Sequence, residues 1–331
     1  MDIDKELQKL TEVENSARLG EGEVSIEKQH SQGRLTARER ISLFFDQGSF
    51  VELNMFAQHQ CHDFGMFKKR PYGDGVVVGF GKANGRTVYV YAQDFTVLGG
   101  TVGVAHAEKI CNIMRLARKA HAPVVGLVDS GGARIQEGTG TYSYIFNENI
   151  LSSGVVPQIS AIMGNCAGGG VYSPALTDFI FMVQDTSQMF ITGPAVIKQV
   201  TGEDISMQEL GGSKPHSTKS GVCDVVAKND EECVNLIKKL LSFLPDSYQD
   251  KPARIETGDD PGRCDDGLMQ VVPDNPRATF DMHNVILKIV DNGDFFELKP
   301  FFARNMITGF ARLHGYAVGI VANHSMYSAG S

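Results

Sequence analysis

No CxxC pair, no Walker A segment and no GxGxxG fingerprint occurs in this chain. The six cysteines, at 61, 111, 166, 223, 233 and 264, are too scattered for a zinc ribbon and read as reduced, mostly structural thiols. Without a phosphate loop, ATP chemistry and dinucleotide binding are unsupported. No apolar run is long enough to span a membrane. Positive charge is in short supply, and a net charge of −8 argues against bulk attraction to nucleic acid or anionic lipid. The acidic, polar opening MDIDKELQKL is neither a signal nor a transit peptide, so a cytoplasmic protein without membrane insertion is expected. There is no GxSxG elbow. Asp129-Ser130-Gly131-Gly132 resembles a protease nucleophile loop, but no histidine motif precedes it. His106-Ala107-Glu108 starts a zinc-deaminase signature whose PCxxC is missing, so no metal is expected. No lysine lies in an Ala/Met context of the kind that carries a covalently attached cofactor.

What is present is organised around residues 125–175. PVVGLV (123–128) reads as a buried strand broken by Asp129-Ser130-Gly131-Gly132-Ala133-Arg134. A helical segment follows to Asn149, and VPQISAIM (156–163) gives a second buried strand. That strand ends in GNCAGGG (164–170) before another helix. Two strands ending in glycines before a helix predict two neighbouring sets of free backbone N–H groups suited to negative charge. Tight turns need only one or two glycines, and Gly168-Gly169-Gly170 exceeds that need.

Elsewhere, residues 2–28 are charged and helix-prone. Residues 27–40 then form a basic patch in an acidic protein, with Arg34, Arg38 and Arg40. Two readings stay open for it: a solvated helix face, or an arginine dock for a phosphate-bearing ligand. Asn84-Gly85 between alternating segments marks a hairpin over 75–93. Helices are expected from Gly99-Gly100-Thr101 to about Ala120, after Gly193-Pro194, and over 230–243; strands are expected over 179–183 and 189–192. Residues 245–276, rich in Pro, Asp and Gly, read as a linker. Beyond them the sequence repeats itself. DQGSFVEL (46–53) recurs as DNGDFFEL (291–298), and Gly79, Phe80, Gly85, Ala92 and Gly100 recur as Gly309, Phe310, Gly315, Ala322 and Gly330. Two copies of one fold are implied, the second lacking the equivalent of residues 101–243. A unit missing its helices cannot bury its sheet, so a fragment or truncated product ending at Ser331 is expected.

The segments EKQHSQGRLTARERI, QDFTVLGGT, VDSGGARIQEG, SGVVPQISAIMGNCAGGGVYSPALTDF, FITGPAVIKQVTGED and LLSFLP together resemble the carboxyltransferase (β) subunits of biotin-dependent acyl-CoA carboxylases. Propionyl-CoA carboxylase β, the transcarboxylase large subunit and methylmalonyl-CoA decarboxylase α are of this family. The likeness covers about residues 25–245 and resumes through GIVAN (319–323), departing from His324 onward. It implies an α/β, crotonase-like (ClpP/crotonase) fold, one complete copy plus the start of a second. The implied domains are an acyl-CoA-binding half over 1–245, a linker over 246–276 and a truncated second domain over 277–331. It further implies carboxyl transfer between carboxybiotin, on a separate carrier, and a short acyl-CoA. Partners would be a biotin carrier, a biotin carboxylase subunit and further copies in a hexamer. By the resemblance, Gly168 and Gly169 match the oxyanion hole for the thioester. Gly131, Gly132, Ala133 and Arg134 match the loop along which CoA lies, and Arg34, Arg38 and Arg40 the basic segment near its adenosine phosphates. The alternatives are a methylmalonyl-CoA-type decarboxylase subunit, a crotonase-type hydratase or isomerase with Glu137 as its carboxylate, and a non-catalytic CoA-binding fragment.

Overall fold

The computed structural model describes residues 3–275 and 277–328. The helices are α1 (Ile3–Leu19), α2 (Glu23–Ser31), α3 (Ala37–Phe44), α4 (Val104–Ala120), α5 (Tyr142–Ser152), α6 (Tyr172–Ala175), α7 (Pro194–Thr201), α8 (Met207–Gly211), α9 (Ser213–Thr218), α10 (Asp230–Phe243), α11 (Leu268–Val271) and α12 (Met282–Ile289). One sheet contains β1 (Val51–Leu53), β2 (Val76–Ala83), β3 (Arg86–Gln93), β4 (Val124–Ser130), β5 (Gln158–Ala167), β6 (Phe179–Val183) and β8 (Val225–Ala227) in the order β1-β2-β3-β4-β5-β6-β8, with β7 (Gln188–Phe190) pairing the end of β5. A second sheet has β9 (Phe295–Leu298), β10 (Met306–Leu313) and β11 (Tyr316–Asn323) in the order β11-β10-β9.

The first three strands of the large sheet are antiparallel and the rest parallel. β4 is buried along its whole length, as a strand covered on both faces must be, which explains its unbroken apolar run. One face packs on Ile41 and Phe44 of α3 and on Val234, Ile237 and Leu240 of α10. The other packs on Ile110, Ile113 and Met114 of α4 and Ile145 of α5. Both α3 and α10 start on good caps: Thr36 and Glu39 bond reciprocally, and Asn229 Oδ1 accepts the Glu232 N–H at 2.8 Å.

The internal repeat is visible atom by atom. Gly79 faces Glu52 in one sheet and Gly309 faces Glu297 in the other. A Cβ on Gly79 would lie 2.2 Å from the Val51 carbonyl, and one on Gly309 would lie 2.3 Å from that of Phe296. The hairpin of each copy is pinned by an aspartate. Asp46 accepts the N–H groups of Asn84 and Gly85, and Asp291 those of His314 and Gly315. Gly330, the expected counterpart of Gly100, lies outside the described residues, as does Ser331.

One expectation needs narrowing. The second copy buries part of its sheet, along β9 and β10, while β11 has no buried residue. Phe310 stacks on Phe243 of α10, centroids 6.0 Å apart, and meets Phe179 of β6 edge-on. Ile286 and Val290, on and just after α12, pack with Ile307 and Ala311. The small sheet thus borrows a surface of the large one. The segment expected as a bare linker is fastened to it as well, through Ile255 N–H to the Gly315 carbonyl and Thr257 to Asp291.

Lys109 of α4 is buried, its ammonium donating to the carbonyls of Gly73 and Val76. Burial depresses its pKa from the ordinary 10.5 to about 8, although Glu52 and Asp74 pull the other way. Between those values the folded chain releases a proton that the unfolded chain keeps, so Lys109 makes stability rise with pH from about 8 to 10.5. Urea midpoints measured across that window should climb in the native protein and climb less in Lys109→Met.

Candidate active site

β4 and β5 lie side by side at the centre of the large sheet, in register from Val124↔Gln158 to Val128↔Ile162. The register then shifts, so that Ser130 faces Cys166. Asp129 explains the shift. Its side chain turns inward, and its carboxylate fills the space beside Gly164, where a Cβ would lie 2.1 Å from Oδ1. Oδ1 accepts the Asn165 N–H at 3.1 Å and Arg34 Nη1 at 3.0 Å. Oδ2 accepts Gln29 Nε2 at 2.7 Å and Arg40 Nη1 at 3.2 Å. Arg40 goes on to donate from Nε to Asp230 at 2.8 Å and from Nη2 to the Met163 carbonyl at 2.9 Å.

These contacts correct both readings of the basic segment. Arg40 is fully buried and Arg34 only 6% exposed, so neither is a solvated face or a phosphate dock. Arg38 is held by both carboxylate oxygens of Glu52, at 2.7 and 3.1 Å. Each guanidinium has a carboxylate to itself or shares one, which is what a charge taken from water requires. Burial by itself would lower the Arg40 pKa, but Asp129 and Asp230 outweigh it and raise it. The patch is a clamp that binds the N-terminal segment to the ends of β4 and β5 and the start of α10.

The two glycine loops also differ from expectation. In the first, the Gly131 N–H donates to the Gly99 carbonyl at 2.9 Å and the Gly132 N–H to Ser130 Oγ at 3.1 Å. The loop is closed on itself and offers neither N–H to a ligand. Gly131 reaches the surface and Ala133 does so in part, but Gly132 and Arg134 are buried. Arg134 Nη1 bonds Asp74 at 2.6 Å and Glu137 at 2.8 Å, and Nη2 the Thr101 carbonyl at 2.7 Å. The other Glu137 oxygen accepts the Val104 N–H at the start of α4, 3.0 Å away. Each Glu137 oxygen thus carries a protein hydrogen bond, one of them to Arg134. A groove of about 870 Å³, lined by Phe56, Cys61, Val104, Gln136 and Glu137 among others, borders this loop, and neither Gly168 nor Gly169 lines it.

The second loop stays open. A short turn, Gly168–Val171, leaves the end of β5 and leads directly into α6, and the first N–H groups of such a turn have no acceptor within it. Gly168 takes φ 60°, which a side chain would strain, and Gly168 and Gly169 are both reached by solvent. The turn is braced from below. The buried Cys166 thiol, whose pKa burial pushes up, donates to the Gly170 carbonyl at 3.3 Å. A Cβ on Gly169 would touch the Tyr142 ring at 3.1 Å.

The sequence matches the family described as carboxyl transferase domain over residues 28–331. The chain belongs to the carboxyl transferase family. It is 53% identical over 327 residues to the propionyl-CoA carboxylase beta chain of Roseobacter denitrificans, covering 98% of this chain and 64% of that one. It is 52% identical over 331 residues to the methylmalonyl-CoA decarboxylase subunit alpha of Veillonella parvula, covering 99% and 65%. The transcarboxylase 12S crystal structure, a hexamer with methylmalonyl-coenzyme A and methylmalonic acid bound, superposes with a TM-score of 0.97 at 44% identity, covering 100% of this chain and 65% of that one. This carboxyl transferase chain therefore spans a little under two thirds of the length of these relatives, and its fold is crotonase-like. Among the described residues, no helix is long and apolar enough to cross a membrane.

Asp129, Gln29, Asp230 and Asp74 were missed as site-building residues. One signal was available: Asp129 is the lone charge in the buried run VVGLVDS.

Removing Arg40 leaves two buried carboxylates short of a cation. Arg40→Met should lose about 3–5 kcal/mol of stability, while Arg38→Gln, at a partly exposed pair, should lose about 1 kcal/mol. Urea denaturation of the two variants checks the ordering.

Proposed function

We propose that this chain supplies the acyl-CoA half of a biotin-dependent acyl-CoA carboxyltransferase, moving a carboxyl group to or from the α-carbon of a short acyl-CoA such as propionyl-CoA or acetyl-CoA. The observation that carries this reading is the open glycine turn at the end of β5, in a chain 53% identical to a propionyl-CoA carboxylase beta chain. Removing the α-proton of a thioester places negative charge on the thioester oxygen. The N–H groups of Gly168 and Gly169 are assigned to that oxygen, where one donor is typically worth about 3 kcal/mol. Gly131 and Ala133 are assigned to line the CoA chain. Arg134 acts at one remove, fixing that loop against Asp74 and Thr101. Biotin, carried on another chain or domain and loaded by a biotin carboxylase subunit, supplies or accepts the carboxyl group. Among the described residues none is assigned to hold it.

We assign residues 1–245 to the acyl-CoA domain, 246–276 to the connection and 277–331 to the start of a second domain. Exposed large apolar side chains near the site, among them Ile135, Tyr144, Ile191 and Val200, support assembly with further copies, a hexamer by likeness to transcarboxylase 12S. The free cysteines fit a reducing, cytoplasmic setting.

A second reading has its own support: 52% identity to a methylmalonyl-CoA decarboxylase subunit favours the same site run towards decarboxylation. The hydratase or isomerase reading is less well supported, because Glu137 is paired with Arg134 and the groove it lines includes neither Gly168 nor Gly169.

The test is titration of the chain with propionyl-CoA and methylmalonyl-CoA, followed by incubation of methylmalonyl-CoA with free biotin and quantification of propionyl-CoA. Saturable binding and biotin-dependent product are expected; binding without product would favour the non-catalytic fragment, and no binding would sink the proposal. Gly169→Ala, whose methyl presses the turn against Tyr142, should bind within a few-fold of the native chain and turn over about 10²-fold more slowly. Native turnover in that variant would remove the oxyanion assignment.

A further inference from the structure

We propose that Asp281, His283 and His324 form a divalent transition-metal site, of the kind that holds zinc, which fastens α12 to the chain just after β11. The site is separate from the glycine turn and independent of the carboxyltransferase reading. One ligand atom from each of the three residues lies within 4.8 Å of the others. His283 Nδ1 stands 2.7 Å and His324 Nε2 3.5 Å from the same oxygen, Asp281 Oδ1. Two imidazoles and a carboxylate suit a borderline ion such as Zn²⁺ and leave a coordination position for water.

Two further observations point to an ion rather than to hydrogen bonding alone. First, His324 is only 5% exposed, yet its Nδ1 has no hydrogen-bond partner and its Nε2 only the long contact to Asp281. The Nε2 that faces Asp281 is left without a close partner, which an ion between the two would supply. Second, the ring nitrogen of His283 that faces away from the cluster meets Glu297 Oε2 at 3.1 Å. A carboxylate behind a ligating histidine fixes its ring and raises its basicity, the usual outer support of a metal site. Asp281 Oδ1 also caps α12 by accepting the His283 N–H at 2.9 Å, and further bonds join the two segments. The Phe280 N–H donates to Ser325 Oγ at 3.1 Å, Ser325 Oγ donates to the Phe280 carbonyl at 2.9 Å, and the His324 N–H donates to the Asn305 carbonyl at 2.8 Å.

The two cations lining the adjoining cavity are already engaged. Arg304 lies over the Tyr327 ring at 4.2 Å, and Lys299 pairs with Asp224 at 3.0 Å. A metal here makes structural sense, because the buried cluster between α12 and the small sheet is confined to Ile286, Val290, Ile307 and Ala311. A small core of that size gains from a staple.

The experiment is calorimetric titration of the chelator-stripped chain with Zn²⁺, with Co²⁺ absorption as a second probe. One ion per chain is expected, with an intense tetrahedral cobalt spectrum. His283→Gln and His324→Gln should each weaken binding by at least about tenfold, Glu297→Gln by about ten- to a hundredfold, and His30→Gln not at all. Far-ultraviolet circular dichroism establishes that each variant is folded. Should a variant unfold, the anomalous zinc signal in crystals of the native chain decides: a peak between Asp281, His283 and His324 supports the site. No stoichiometric binding, binding insensitive to His283 and His324, or an anomalous peak elsewhere overturns it.

Discussion

The carboxylate of Asp129 is the constraint on which the central architecture depends. It lies at the end of a strand buried on both faces, where an ionised group is tolerated only if every lone pair is answered. Arg34, Arg40, Gln29 and the Asn165 N–H answer them. The same contacts fix Gly164 and the last turn of β5, and so determine where the Gly168–Val171 turn leaves the sheet. Three segments distant in sequence thereby share one polar centre, and the open turn inherits its position from a charge that touches no ligand itself.

The site is a contrast between two loops of similar composition. Both follow a central strand and both are rich in glycine. The loop after β4 spends its N–H groups on Gly99 and Ser130. Among the described residues, the loop after β5 has no such bonds from Gly168 and Gly169 to a neighbouring loop, and a thiol and an aromatic ring pack against it. What separates a closed turn from an open one is therefore the inventory of acceptors nearby, and glycine count says nothing about it.

That inventory marks the limit of what could be read from sequence. Periodicity located the hairpin, α4, α10 and the paired central strands because those signals are local. The repeat was legible because Gly79 and Gly309 meet the same steric demand, and Asp46 and Asp291 pin the same hairpin. The role of the arginines was not legible. Arg34 and Arg40 look like any exposed basic residues until Asp129 and Asp230 are brought to them across 89 to 190 positions of chain. The partial cover of the second sheet escaped for the same reason, since Phe310 finds its cover on Phe243, in the other copy.

The clamp has a consequence for synthesis. Arg40 precedes its partner Asp230 by 190 residues. At ribosomal rates of about 5–20 residues per second, that interval is roughly 10–40 s. Throughout it the nascent N-terminal segment carries a guanidinium destined for the interior and lacks the aspartate that completes its neutralisation. The segment must therefore wait in solvent, or in the care of a chaperone, until α10 emerges. The contact that completes the clamp thus joins one of the first parts of the chain to be made with one made much later.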